Sequence, residues 1–114
     1  MIRINATGRL TKDVEIKKLE KDVVLNFTLA SGKDDNAQFL ECKFYTREDN
    51  KQIDLLTKGS LITINGDYFT EKWEKDGKKY SKIICRVDKL FIEVFKRPND
   101  EVETEEATEI EASK

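Results

Sequence analysis

Histidine is missing from this sequence, and tryptophan and proline occur once each and cysteine twice. Without histidine the commonest general base near neutral pH is gone, and with it every Ser-His or Cys-His nucleophile pairing. Carboxylate chemistry survives in principle, but no convergent polar pocket can be found in the sequence, and no catalysis is expected. Cys42 and Cys85 are too far apart to form a Cys-x-x-Cys ligand pair and have no histidine to complete a zinc site. Neither a metal nor any other cofactor is expected, and both cysteines fit as small core residues. No apolar run approaches the ~18 residues that cross a membrane. Met1, Ile2, Arg3, Ile4 and Asn5 alternate in character instead of forming the apolar stretch of a signal peptide, so the expected location is the cytoplasm. No phosphate-binding loop motif and no repeat of 20 to 50 residues is present.

What is present is one domain's worth of chain, 114 residues with 38% hydrophobic and 39% charged side chains. The net charge of −2 hides an asymmetry. Residues 1–98 hold 20 Lys and Arg against 16 Asp and Glu, whereas residues 99–114 hold one Lys against seven acids. A mildly basic body with an acidic appendage suits a polyanion-binding protein, although an acidic tail also serves solubility alone. From Pro98 onward the apolar pattern ends, which predicts a domain over residues 1–97 and a disordered acidic tail over 98–114.

Period-2 alternation predicts an all-β body of five strands. Ile2, Ile4 and Ala6 alternate with polar residues up to Gly8, where a bend or bulge is expected. Leu25, Phe27 and Leu29 share one face of a second strand. In a third, Leu40, Cys42 and Phe44 face one way and Phe39, Glu41, Lys43 and Tyr45 the other. Residues 48–58 break the alternation: Ile53 and Leu56 suit one helical face, Thr46 and Asp49 resemble a capping pair, and Gly59 is placed as a terminator, which predicts one short helix. A fourth strand runs from Ser60 past Gly66 toward Trp73, Asp76-Gly77 signals a tight hairpin, and a fifth strand returns with Ile83, Cys85 and Val87 on one face. Five strands with a helix between the third and fourth fit a closed Greek-key barrel, with an open sandwich as the alternative.

The stretch over residues 68–82 interleaves aromatic and basic side chains across the expected hairpin. Unpaired nucleic acid requires this combination: flat rings on which bases stack, and cations for the phosphates between them. Phe39, Lys43 and Tyr45 add a second patch on a face that alternation assigns to solvent, where large aromatics imply a ligand or partner. Any one of these aromatics alone is better explained by local packing; their conjunction, and Trp73 set between Lys72 and Lys75, is what favours stacking.

With these residues in place, the chain resembles the bacterial and phage single-stranded-DNA-binding protein family along nearly all of residues 1–94. The resemblance rests on Gly8-Arg9-Leu10-Thr11-Lys12-Asp13, on Asn26-Phe27-Thr28-Leu29-Ala30, and on Lys58-Gly59-Ser60 followed by Leu61-Ile62-Thr63-Ile64-Asn65-Gly66, in that order and spacing. It implies a five-stranded OB-fold barrel that coats and protects single-stranded DNA in replication, recombination and repair. By position it implies base stacking by Phe39, Tyr45 and Trp73, and phosphate contacts by Lys43 and Lys72, with Arg3, Lys78 and Lys79 as further candidates. It implies a homotetramer, with a dimer as the fallback.

Three departures stand out. Glu41 occupies a position that is basic in well-known members, no aromatic occurs in residues 31–36, and the acidic end lacks the Ile-Pro-Phe tip that recruits replication and repair proteins. The first two imply lower affinity per subunit and the third no recruitment through that tip, while the brevity of the tail suggests a phage or mobile-element source. The competing functions are a barrel used as a protein-interaction subunit of a primosome or recombination complex, and an RNA binder of the cold-shock kind. Phe27, which faces inward, argues against the latter.

Overall fold

The computed structural model describes residues 1–96; the acidic segment expected to be disordered lies outside them. Among the described residues six strands are present: β1 (Arg3–Leu10), β2 (Glu15–Lys18), β3 (Asp22–Ser31), β4 (Gln38–Arg47), β5 (Leu61–Lys75) and β6 (Lys78–Val94). Their order is β1-β5-β6-β4-β3-β2, and an additional β1–β3 pairing closes the first five into a barrel. All pairs are antiparallel except β4–β6, which runs parallel and makes the connection a Greek key. The predicted five strands are β1, β3, β4, β5 and β6. The sixth, β2, is a fully exposed edge strand paired only with β3, and its Glu-Ile-Lys-Lys sequence carries no alternation that could reveal it.

Alternation does its work inside the barrel. Leu25, Phe27 and Leu29 of β3, Cys42 of β4, Ile62 and Ile64 of β5, and Cys85, Val87 and Leu90 of β6 form the core with Leu10, Val23 and Leu56. Each large side chain so buried contributes roughly 1.5–3 kcal/mol. Burial raises the thiol pKa of both cysteines, that of Cys85 to about 11, so they pack as neutral hydrophobes.

Of the bend or bulge expected at Gly8, the bulge does not occur: β1 keeps one register against β5 from Arg3 to Arg9, and at its end Arg9 and Leu10 also pair with Ala30 and Leu29. Two irregularities fall instead in β6. Leu61 pairs with Val94 and Ile62 with Ile92, leaving Glu93 as an extra residue; Asn65 pairs with Lys89 and Gly66 with Val87, leaving Asp88 as the second. Gly66 permits this crossing, since a Cβ there would lie 2.2 Å from the Arg86 carbonyl oxygen.

The helix predicted over residues 48–58 is likewise absent, reduced to a 3₁₀ turn at Ile53–Leu55. Side chains outcompete the helical pattern here. Asn50 accepts from the Gln52 backbone N–H and donates to Thr46, and the Gln52 amide donates to the Leu90 carbonyl. Leu56 turns into the core while its carbonyl accepts from Val14. Beyond it, Ser60 is fully buried and its hydroxyl accepts from the Lys96 backbone N–H, tying the chain after β6 to the barrel. The Lys-Gly-Ser motif thus has a structural purpose.

Candidate nucleic-acid interface

The strands β3, β4, β6 and β5 present one continuous outward face, and strand register decides what stands on it. On β4, Phe39, Glu41, Lys43 and Tyr45 alternate outward, with Phe39 67% and Tyr45 58% exposed. Parallel pairing sets Glu41 beside Ile84 and Lys43 beside Arg86. Antiparallel pairing then sets Ile84 opposite Phe69, Lys82 opposite Glu71 and Tyr80 opposite Trp73. The predicted stacking residues Phe39 and Tyr45, together with Lys43, therefore share one face of β4 with Trp73 brought to it from β5.

At the hairpin, Asp76 and Gly77 both have positive φ, 52° and 77°, as a two-residue turn matched to strand twist requires. This fixes Trp73 directly across from Tyr80, and their rings stack with centroids 5.7 Å apart at 17°. Lys82 places its ammonium 5.7 Å from the Trp73 ring centroid, and the Arg86 guanidinium lies 3.5 Å from that of Phe69. Such cation–π contacts hold the charges beside flat rings. Between β4 and the hairpin, Lys43 bonds Glu71 at 2.7 Å and Lys82 bonds Glu41 at 2.9 Å. The bond from Lys43 holds the Glu71 carboxyl below the usual carboxylate range, and the bond to Glu41 raises the Lys82 pKa. A groove of about 340 Å³ opens here, lined in part by Asn26, Thr28, Glu41, Lys43, Lys82 and Ile84. Ile84 is only 1% exposed although it belongs to the outward face.

The remaining predicted cations divide. Lys78 pairs across the hairpin with Lys75, in step with Trp73 and Tyr80. Lys72 and Lys79 pair with Ser81 and Glu74 on the opposite side of the ribbon. Arg3 bonds Asp67 at 2.8 Å and Asp88 at 2.7 Å, which raises its pKa, Asp88 contributing most, and lowers that of Asp88. Tyr80, Lys82 and Arg86 also stand on this face; the first two lie in the 68–82 stretch but were not among the predicted contacts, and Arg86 lies outside it. Counting outward from Asp76-Gly77 pairs Tyr80 with Trp73, and stepping by two from Tyr80 reaches Lys82 and Arg86, so the signal was present. No group of three or more His, Cys, Asp or Glu able to hold a metal occurs among the described residues.

The sequence profile of the single-strand binding protein family matches residues 1–95. The chain belongs to that family. Among its relatives, the single-stranded DNA-binding protein of Aquifex aeolicus is 32% identical over 114 residues, covering 90% of this chain and 76% of that protein. Single-stranded DNA-binding protein 1 of Synechocystis is 34% identical over 106 residues, covering 86% and 88% respectively. The fold matches that of a Plasmodium falciparum SSB solved in complex with ssDNA, with TM-score 0.71 and 21% identity over 81% of this chain and 94% of that one. The OB-fold barrel expected for a single-strand binding protein is thus the barrel observed. Within this family member the outward face is a mixed surface: its rings are exposed, and its central lysines are engaged with carboxylates from neighbouring strands.

Proposed function

We propose that this family member binds single-stranded DNA without reading its sequence and coats it during replication, recombination and repair. It acts as a non-catalytic protein of the bacterial cytoplasm, cell- or phage-encoded. The observation that carries this reading is the row of exposed rings, Phe39, Tyr45 and the Trp73–Tyr80 pair, on one outward face with cations between them. Every base has a π-face, so stacking is indifferent to sequence, and each stack is worth about 1–3 kcal/mol. Phe39, Tyr45 and Trp73 are the stacking residues. Lys43 is the central phosphate contact, with Lys78 beside the hairpin stack; Lys72 and Lys79 serve DNA passing behind the ribbon, and Arg3 stands at the margin. Tyr80, Lys82 and Arg86 join the set.

Titrating the fluorescence of Trp73, the sole tryptophan, with poly(dT), matched RNA and duplex DNA tests the reading. Quenching by poly(dT) at the lowest concentration is expected; unchanged emission at saturating poly(dT) overturns it. A protein-interaction subunit with weak nucleic-acid binding is the second reading, favoured by the engagement of Arg3 and Lys43 with carboxylates. A homotetramer, with a dimer as the fallback, is the assembly that family membership supports, and sedimentation of the free protein distinguishes the two.

A further inference from the structure

Between the β4 aromatics and the hairpin stack, the outward face carries alternating charges instead of a block of cations. Lys43 meets Glu71 at 2.7 Å; Lys82 meets Glu41 at 2.9 Å and approaches Glu71 at 3.9 Å. Arg86, over Phe69, is the neighbour of Lys43 in the β4–β6 register. Three strands contribute, so each carboxylate reaches a lysine distant in sequence. Lys43 and Glu71 have side chains only 31% and 30% exposed, so salt screens this pair less than one standing free in solvent. The lysines best placed to meet phosphate are therefore already occupied in the free protein.

We propose that Glu41 and Glu71 are affinity-setting residues: an internal carboxylate ladder that competes with DNA phosphate for Lys43 and Lys82. The inference rests on the DNA-binding function proposed above. A strand running from Phe39 and Tyr45 to Trp73 crosses this ladder. To engage Lys43, a phosphate must displace Glu71; to engage Lys82, it must displace Glu41. Each exchange replaces one ion pair by another, and the released carboxylate gathers a solvent cation that cancels part of the counterion release from DNA. Binding is consequently weaker, and less sensitive to salt, than the number of cations on the face implies. Stacking carries the larger share.

The test uses the full chain, poly(dT) and Trp73 fluorescence, at salt concentrations from about 20 to 200 mM. Glu71→Gln and Glu41→Gln keep the side-chain shape and remove the charge. Each is expected to steepen the log–log salt slope by about 0.7, the single-strand value per phosphate neutralised. Affinity should rise roughly five- to tenfold at the lowest salt and converge with that of the unaltered protein as salt increases. Glu93→Gln, near the end of β6 far from the hairpin, removes the same formal charge and is expected to leave the slope unchanged. In a Lys43→Gln background, Glu71→Gln should lose most of its effect. An unchanged slope in both ladder variants overturns the proposal, as does weaker binding by Glu71→Gln, which would make Glu71 a positioning group for Lys43. Lowered melting temperatures with unaltered slopes would mean the ladder only braces the sheet, and also overturn it. Failure of the unaltered protein to be quenched removes the function first, and this inference with it.

Discussion

The hairpin that projects from the barrel is made of β5 and β6, two of the barrel's own strands, yet the two ends of those strands are used in opposite ways. In the first half of β5 every second residue is buried, through Ile62, Ile64 and Gly66; from Tyr68 onward none is. β6 mirrors this, exposed from Lys78 to Ile83 and buried at Ile84, Cys85 and Val87. Inside the barrel a side chain on the inner face finds a core; past its rim both faces of the ribbon meet solvent. The same local conformation therefore yields stability at one end of a strand and an available ring surface at the other.

The comparison can be broken most forcefully at the barrel end. Ile64→Ala empties a fully buried site and is expected to lower unfolding free energy by about 2–5 kcal/mol. Urea denaturation measures this, and the variant that remains folded should bind poly(dT) with unchanged affinity. Equal loss of binding would mean that core packing and the outward face are coupled. Trp73→Ala inverts the pattern: affinity should fall by about 1–3 kcal/mol in direct binding titrations, with stability changed by less than roughly 0.5 kcal/mol, as for a surface substitution. A large stability loss would show that the Trp73–Tyr80 stack holds the hairpin up.

The smallest effect sharpens the contrast through pH. Among the described residues no carboxylate is buried; the only buried polar side chain is Ser60. Glu71, Asp88 and Glu15, on the outside, have pKa values lowered by bonds to Lys43, Arg3 and Lys12. A depressed carboxylate contributes stability above its unfolded pKa and loses it as pH falls through the folded one. Melting temperature should therefore be flat near neutrality and decline modestly below about pH 4, because these pairs lie at the surface, the Lys43–Glu71 pair half-buried and the others exposed, and each contributes little. A steep drop nearer pH 6 would require a titrating group that the fold does not display.

Much of the candidate site could be read in the chain because strand alternation and turn chemistry are local. Phe39, Lys43 and Tyr45 share a face by period 2, and Asp76-Gly77 places the hairpin. Lys72 could have been separated from Trp73 by the same rule, since adjacent residues point to opposite sides. The unreadable parts are non-local. β2 pairs with β3 without burying a side chain, and the 48–58 segment has helical spacing but gives hydrogen bonds to β6 and to its own side chains. Ile84 is buried on a face that alternation assigns to solvent, flanked in register by Glu41 and Phe69.

The sequence by itself determined which residues share the inner face along the five alternating strands, where the hairpin turns, and that aromatic and basic side chains interleave along it. All of these follow from φ/ψ preferences and the two-residue repeat of a strand. Only the tertiary structure decided which charge meets which. Lys43 and Glu71 are 28 positions apart, and Arg3 and Asp88 are 85 apart. Their meetings depend on barrel closure, on the parallel β4–β6 register and on the bulge at Asp88. Those arise from packing the whole core at once, which no local stretch of chain encodes.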